Sequence, residues 1–187
     1  MSGPDGPARG AVRESRTLAV PATTAFAWVG DWRTHPRWIP LTRAESVPRP
    51  GSLGDDGAPE RWTARRPAPG WTGPASRPVG EPFTMVSGPG AGAGLPGVVD
   101  RMVTVEAVAP DEGADLAGRV TVTKLGPLLL GEAGFEVRTD GAGSRVVWWE
   151  DVHLAGPLPA SWTRPVVGVL LRLMMRVSLA RLDRVTR

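Results

Sequence analysis

The sequence predicts an α+β fold in which a curved antiparallel sheet wraps one long C-terminal helix. Three observations lead to it. Thr163 to Arg187 is the longest stretch with helical character, and its apolar arc is wider than one packing face uses. The segments from Glu81 to Leu154 alternate polar and apolar residues between turn signals, the pattern of consecutive hairpins. Two short helical pieces stand between a first strand and that run. Hairpins make an antiparallel sheet with one wet and one apolar face, and a single sheet this size curls onto the one long helix available.

In chain order, Met1 to Gly10 is rich in glycine and proline and reads as a disordered tail. Val12 to Val20 alternates weakly and stops before Pro21, as an edge strand does. Pro21 to Trp32 is a short helix burying Phe26, Val29 and Trp28, ended by Gly30, with Asp31 beginning a second turn. His35-Pro36 marks a boundary, because a residue before proline avoids helical geometry. Arg37 to Pro40 is then a short segment pinned between prolines. Leu41 to Val47 is a second strand. Residues 48–79 form a proline- and glycine-rich insertion carrying Trp62 and Trp71, two side chains that need a surface to cover them. Residues 11–187 otherwise form one domain, long enough for a sizeable core.

Glu81 to Ser87 is a strand, and Gly88 to Gly94 a flexible turn. With no Lys-Ser/Thr after it and no helix to open, this turn is not a phosphate loop. Val98 to Val108 is a valine-rich strand in which Val99, Val103 and Val105 share a face with Arg101. Arg119 to Lys124 puts Val120 and Val122 on one face. Leu128 to Arg138 aligns Ala133, Phe135 and Val137. Asp140-Gly141 turns the hairpin, and Ser144 to Leu154 aligns Val146, Trp148, Val152 and Leu154 with Glu150.

The last helix is expected to start at Ser161 or Thr163, with Pro165 in its first turn. At about 100° per residue, Arg172, Arg176 and Asp183 fall within about 40° of one another, as a solvated face. Val166, Leu170, Leu173, Met174 and Val177 lie opposite. The unbroken apolar run from Val166 to Leu171 is far short of the roughly 20 residues that span a bilayer.

Composition narrows the function. Cysteine is absent, so disulfides and thiolate chemistry are excluded. The pI of 10.8 reflects arginine usage without tyrosine or cysteine; the net charge is only +3, and no basic block forms a phosphate patch. No nucleic-acid partner is expected. The polar N-terminus lacks an apolar signal region, so the expected location is cytoplasmic.

The element order and several local sequences resemble the START-related helix-grip superfamily, also termed SRPBCC, and within it the bacterial polyketide cyclase/dehydrase and lipid-transport group. The matching pieces are VPATTAFAWVGDWRTHPRWIP, GVVDRMVTVEAV, VTKLGPLLLGEAGFEV, SRVVWWEDVHL and the C-terminal helix. They span Val12 to Leu182 apart from the insertion, which has no counterpart in the family pattern. The resemblance implies a seven-stranded sheet gripping the last helix, with a cavity for an apolar ligand between them.

The residues themselves offer little catalytic equipment. His153 shares a strand face with Arg145 and Asp151, away from the apolar side, and His35 reads as a turn residue. No spacing makes a metal site, and no cofactor is expected. Glu150 is the one candidate for chemistry. If it faces the interior it needs a partner, and Lys124 or Arg101 could supply one; if the alternation slips, it faces water. Trp28, Trp38, Phe83, Val103, Phe135, Trp148, Glu150, Leu170 and Met174 are the expected ligand wall. Three functions stay open: a carrier or sensor of a small lipid, polyketide or isoprenoid-like molecule; a polyketide aromatase/cyclase; and a module binding a protein or a membrane surface peripherally. Oligomeric state is not written in the sequence.

Overall fold

The structure, a computed structural model, describes residues 11–46, 61–63, 73–74, 78–111, 116–157 and 159–187. The expected N-terminal tail and Trp71 lie outside the described residues. Strand β1 (Val12–Leu18) leads into helix α1 (Ala22–Gly30), a 3₁₀ turn at Trp32–Thr34 and the single-turn helix α2 (His35–Trp38). There follow β2 (Thr42–Ser46), β3 (Arg61–Trp62), β4 (Pro82–Ser87), β5 (Val98–Val108), β6 (Gly118–Pro127), β7 (Leu129–Asp140), β8 (Gly143–Leu154) and α3 (Ala160–Val185). The sheet runs β1-β8-β7-β6-β5-β4-β2-β3, antiparallel throughout. Seven strands carry it; the two-residue β3, from the insertion, adds to the edge at β2.

Local chemistry explains the first helices. Ala22, Ala25, Phe26 and Val29 repeat at helical spacing and form the buried face of α1. Buried Asp31 stops the helix and caps the next turn, accepting from the Arg33 amide at 3.1 Å and pairing with its guanidinium at 2.6 Å. Thr34 donates to the Trp28 carbonyl at 2.6 Å and accepts from Trp38 Nε1 at 3.2 Å. The boundary expected at His35-Pro36 does not occur. His35 is helical (φ −51°, ψ −42°), because Pro36 stands in the first turn of α2, where its missing N–H costs nothing.

The glycine stretch after β4 is likewise more ordered than its composition suggests. Gly90 and Gly94 take left-handed geometry around a 3₁₀ turn, and buried Arg43 ties the loop down by donating to the Ala91 and Leu95 carbonyls.

The last helix starts at Ala160, earlier than expected, behind Pro159 and without a side-chain cap. Pro165 therefore sits in the second turn, where it removes the bond to the Ser161 carbonyl. Leu171, Met175, Leu179 and Leu182 face the core. The charged face expected in solvent lies only partly there: Arg172 is exposed, whereas Arg176 and Asp183 reach partners on β1. Asp183 is buried and accepts from Arg16 at 2.8 Å and from Arg187 at 3.2 Å; Arg176 pairs with Glu14 at 3.0 Å. Gly168 lies against Val12, and a side chain there would crowd Val12 Cγ2. These contacts set the helix phase, and that phase turns Leu170, Leu173 and Val177 outward.

Candidate functional site

Between the concave face of the sheet and the three helices lies a cavity of about 190 Å³. An apolar cavity of on the order of 150 Å³ admits benzene, so this one suits a compact molecule of one or two rings. Its walls come from the inward positions of five strands: Phe83 and Met85 on β4, Met102 on β5, Val120 and Val122 on β6, Ala133 and Phe135 on β7, and Trp148 on β8. Val29, Trp32, His35 and Ile39 close one side, and Leu171 and Met174 supply the helix wall. Trp32 and Phe83 stack with ring centroids 5.5 Å apart, and Phe135 packs against Trp148 at 5.1 Å.

One charged cluster interrupts this lining. Asp100, Lys124 and Glu150 project from β5, β6 and β8 into the cavity, all three buried. Lys124 Nζ donates to Asp100 Oδ2 at 2.9 Å and lies 3.1 Å from Glu150 Oε2 as an ion pair. Asp100 Oδ1 is buried with no hydrogen-bond donor, while Glu150 Oε2 is held by the ion pair to Lys124 alone. The intervening strand β7 makes room, because it presents only Gly131 beside Lys124 and Ala133 beside Glu150. Burial, the largest single influence on Lys124, lowers its pKa. The charges of Glu150 and then Asp100 outweigh it, holding the amine above its ordinary pKa of 10.5. Lys124 is thus an ammonium, not a nucleophilic amine.

His35 is buried at the cavity wall, and its Nε2 donates to the Val29 carbonyl at 3.1 Å. Burial lowers its pKa from 6.5 to about 4, outweighing that hydrogen bond and the charge of Asp31, so the ring is neutral near pH 7.

Of the expected ligand wall, Phe83, Phe135, Trp148, Glu150 and Met174 line the cavity. Glu150 faces inward, with Lys124 as partner, whereas Arg101 points to solvent. Trp28 and Trp38 are buried behind the lining: Arg37 lies over the Trp28 ring, and Trp38 packs edge-on to Phe135 and Trp148. Val103 and Leu170 are corrections. Inward positions on β5 are Asp100, Met102 and Thr104, so Val103 lies on the other face. Leu170 is 73% exposed, and its neighbour Leu171 takes the wall position. His35, expected as a turn residue, is a buried wall residue at the start of α2, and Asp100 belongs to the charged cluster. The Asp100-Met102-Thr104 alternation was the available signal, masked by the stronger valine pattern on the opposite face.

The outer face of α3 carries Trp162, Val169, Leu170, Leu173 and Val177, all exposed. No helix among the described residues is long and apolar enough to cross a membrane. No group of metal-ligating side chains occurs among them.

Sheet, grip and cavity together define a helix-grip scaffold, and known structures share it across nearly their whole length. The chain is similar to TTHA0849 from Thermus thermophilus, with 15% identity, a TM-score of 0.56, and 93% of this chain and 94% of that one covered. It is also similar to a START superfamily protein from Mycobacterium smegmatis, at 14% identity and a TM-score of 0.53, covering 94% and 98%. A third, protein CV1439 from Chromobacterium violaceum, matches at 12% identity and a TM-score of 0.53, covering 94% and 96%. No protein-family model and no curated protein matches the sequence.

Proposed function

We propose that this protein binds a small hydrophobic molecule between its sheet and its C-terminal helix, as a carrier or sensor. The observation behind this reading is the aromatic-walled cavity of about 190 Å³ with a single charged cluster, since small-molecule sites combine apolar walls with a few placed polar groups. The polyketide-cyclase alternative needs a group that moves protons. Glu150 is tied to an ammonium, and His35 has its Nε2 proton committed to a backbone carbonyl, which favours holding a ligand over transforming it. The test is native mass spectrometry of the purified protein with denaturing extraction of bound molecules, run beside Ala133→Phe, which fills the cavity. A co-purifying apolar molecule that disappears in the variant supports the reading. Identical ligand content and identical responses to added apolar compounds in both proteins would overturn it.

The exposed apolar stripe of α3 supports a second role, peripheral contact with an anionic membrane from which such a ligand is collected. Arg172 and Arg184 are exposed on the same helix, giving apolar and cationic groups together. Co-sedimentation with phosphatidylglycerol vesicles but not phosphatidylcholine vesicles, lost in Leu170→Gln/Leu173→Gln, is expected; equal pelleting of wild type and variant would refute it.

A further inference from the structure

The chemical class of the ligand follows from the charges in the cavity, an inference that rests on the binding reading above. Two carboxyl groups, Asp100 and Glu150, meet one ammonium, Lys124. Both acids are buried in the cavity wall; Asp100 Oδ1 has no donor, and Glu150 Oε2 has only the ammonium it shares with Asp100. A buried acceptor left without a donor costs about 1–3 kcal/mol, more when charged. The other polar groups of the wall leave that demand unmet. Thr42 and Ser87 hydrogen-bond each other at 3.2 Å, and His35 is neutral with Nε2 on a carbonyl. No arginine lines the cavity among the described residues.

We propose that the cavity selects a compact, largely apolar molecule bearing a protonated amine, whose N–H groups fill the open acceptor of Asp100 and supply the second cation that two carboxyl groups sharing one ammonium leave room for. The aromatic rings of Phe135 and Trp148 in the wall supply further electron-rich groups for a cation. A fatty acid or other anionic head is disfavoured, because Lys124 is already shared by two acids and a third would meet their repulsion. The volume sets the scale at one ring with a short chain, or two rings.

The experiment titrates the full-length protein at neutral pH with 2-phenylethylamine, 2-phenylethanol and phenylacetate, read by protein-observed NMR. The amine is expected to bind at least about tenfold more tightly than the alcohol, a difference of roughly 1.4 kcal/mol, with phenylacetate weakest. Asp100→Asn and Glu150→Gln should each lower amine affinity at least several-fold more than they lower 2-phenylethanol affinity, removing most of the amine preference. A purely structural role would weaken both ligands alike. Phenylacetate binding tightest, or three equal affinities, overturns the amine assignment while the cavity reading stands. If none of the three binds, and wild type and Ala133→Phe behave identically, both readings fail.

Discussion

Replacing Lys124 with methionine isolates what the buried cluster contributes. Methionine nearly matches the lysine stem in length and keeps the contacts of its methylenes, so the change removes the ammonium and little else. Asp100 and Glu150 then remain buried beside each other without their shared cation. Breaking a buried ion pair from one side costs about 3–5 kcal/mol, because the remaining charge is uncompensated. For a domain of this size each kcal/mol moves the melting temperature by about 2–4 °C, so Lys124→Met should melt roughly 6–20 °C lower. The control is the triple variant Lys124→Met/Asp100→Asn/Glu150→Gln, which removes all three charges. Dismantling a whole buried charge set is often close to neutral, so the triple variant should recover more than half of the loss. Thermal and urea unfolding followed by circular dichroism, at neutral pH and fixed salt, measures both. A loss under about 1 kcal/mol in the single variant, or a triple variant less stable than the single, would refute the electrostatic account. The alkaline limb is a further check. A lysine raised by folding contributes stability in full below its unfolded pKa of 10.5, and that stability is lost as pH rises through the higher folded value. Wild type should therefore weaken above pH 10.5 more steeply than Lys124→Met.

Three other outcomes are expected. His35 has its folded pKa lowered to about 4, so the folded state resists protonation; stability is full above 6.5 and falls as pH drops toward 4, by about 3 kcal/mol, and His35→Phe should flatten that window in urea titrations. Asp183 is held below its ordinary 3.8 by hydrogen bonds from Arg16 and Arg187, so its contribution is present above 3.8 and lost as pH falls through the lower folded value. Asp183→Asn should cost about 1–3 kcal/mol at pH 7 and speed hydrogen exchange in the last turns of α3; unchanged exchange would mean the clamp does not hold the helix. Leu170→Gln and Leu173→Gln should each shift stability by less than about 0.5 kcal/mol, and a loss of about 2 kcal/mol or more in calorimetry would place these side chains in a core.

Much of the fold was legible because backbone physics writes it locally. Val98 to Val108 alternates along its length and bounds β5 at those residues; Asp140-Gly141 supplies the positive φ that the β7–β8 hairpin needs, with Gly141 at 59°. The helix starts were harder. His35-Pro36 suggested a break from a pairwise steric rule, but the Asp31 cap and the Thr34 hydrogen bond to the Trp28 carbonyl bring the chain into α2 with proline in its permitted turn. At Gly88 to Gly94 composition suggested slackness, and a buried arginine from a distant strand supplies the order. A hydrogen bond between residues 48 positions apart leaves no trace in a local window.

The errors at the site share a cause. Hydropathy assigns apolar residues to the inside and charges to the outside, and this protein reverses that assignment in two places. On α3 the charged residues Arg176 and Asp183 face β1, where Glu14 and Arg16 await them, and the apolar Leu170 and Leu173 are left outside. On β5 it is Asp100 that enters the cavity, whereas Val103 lies on the other side of the strand. Both reversals place paired charges where they fix geometry: one sets the phase of the helix that roofs the cavity, the other its polar end. A hydrophobic substitute for either cluster could match its stability but would leave the helix phase and the polar end of the cavity unspecified. The same residues that defeat the hydropathy reading therefore give the cavity its shape and its charge, and the variants at Asp183 and Lys124 test those two roles separately.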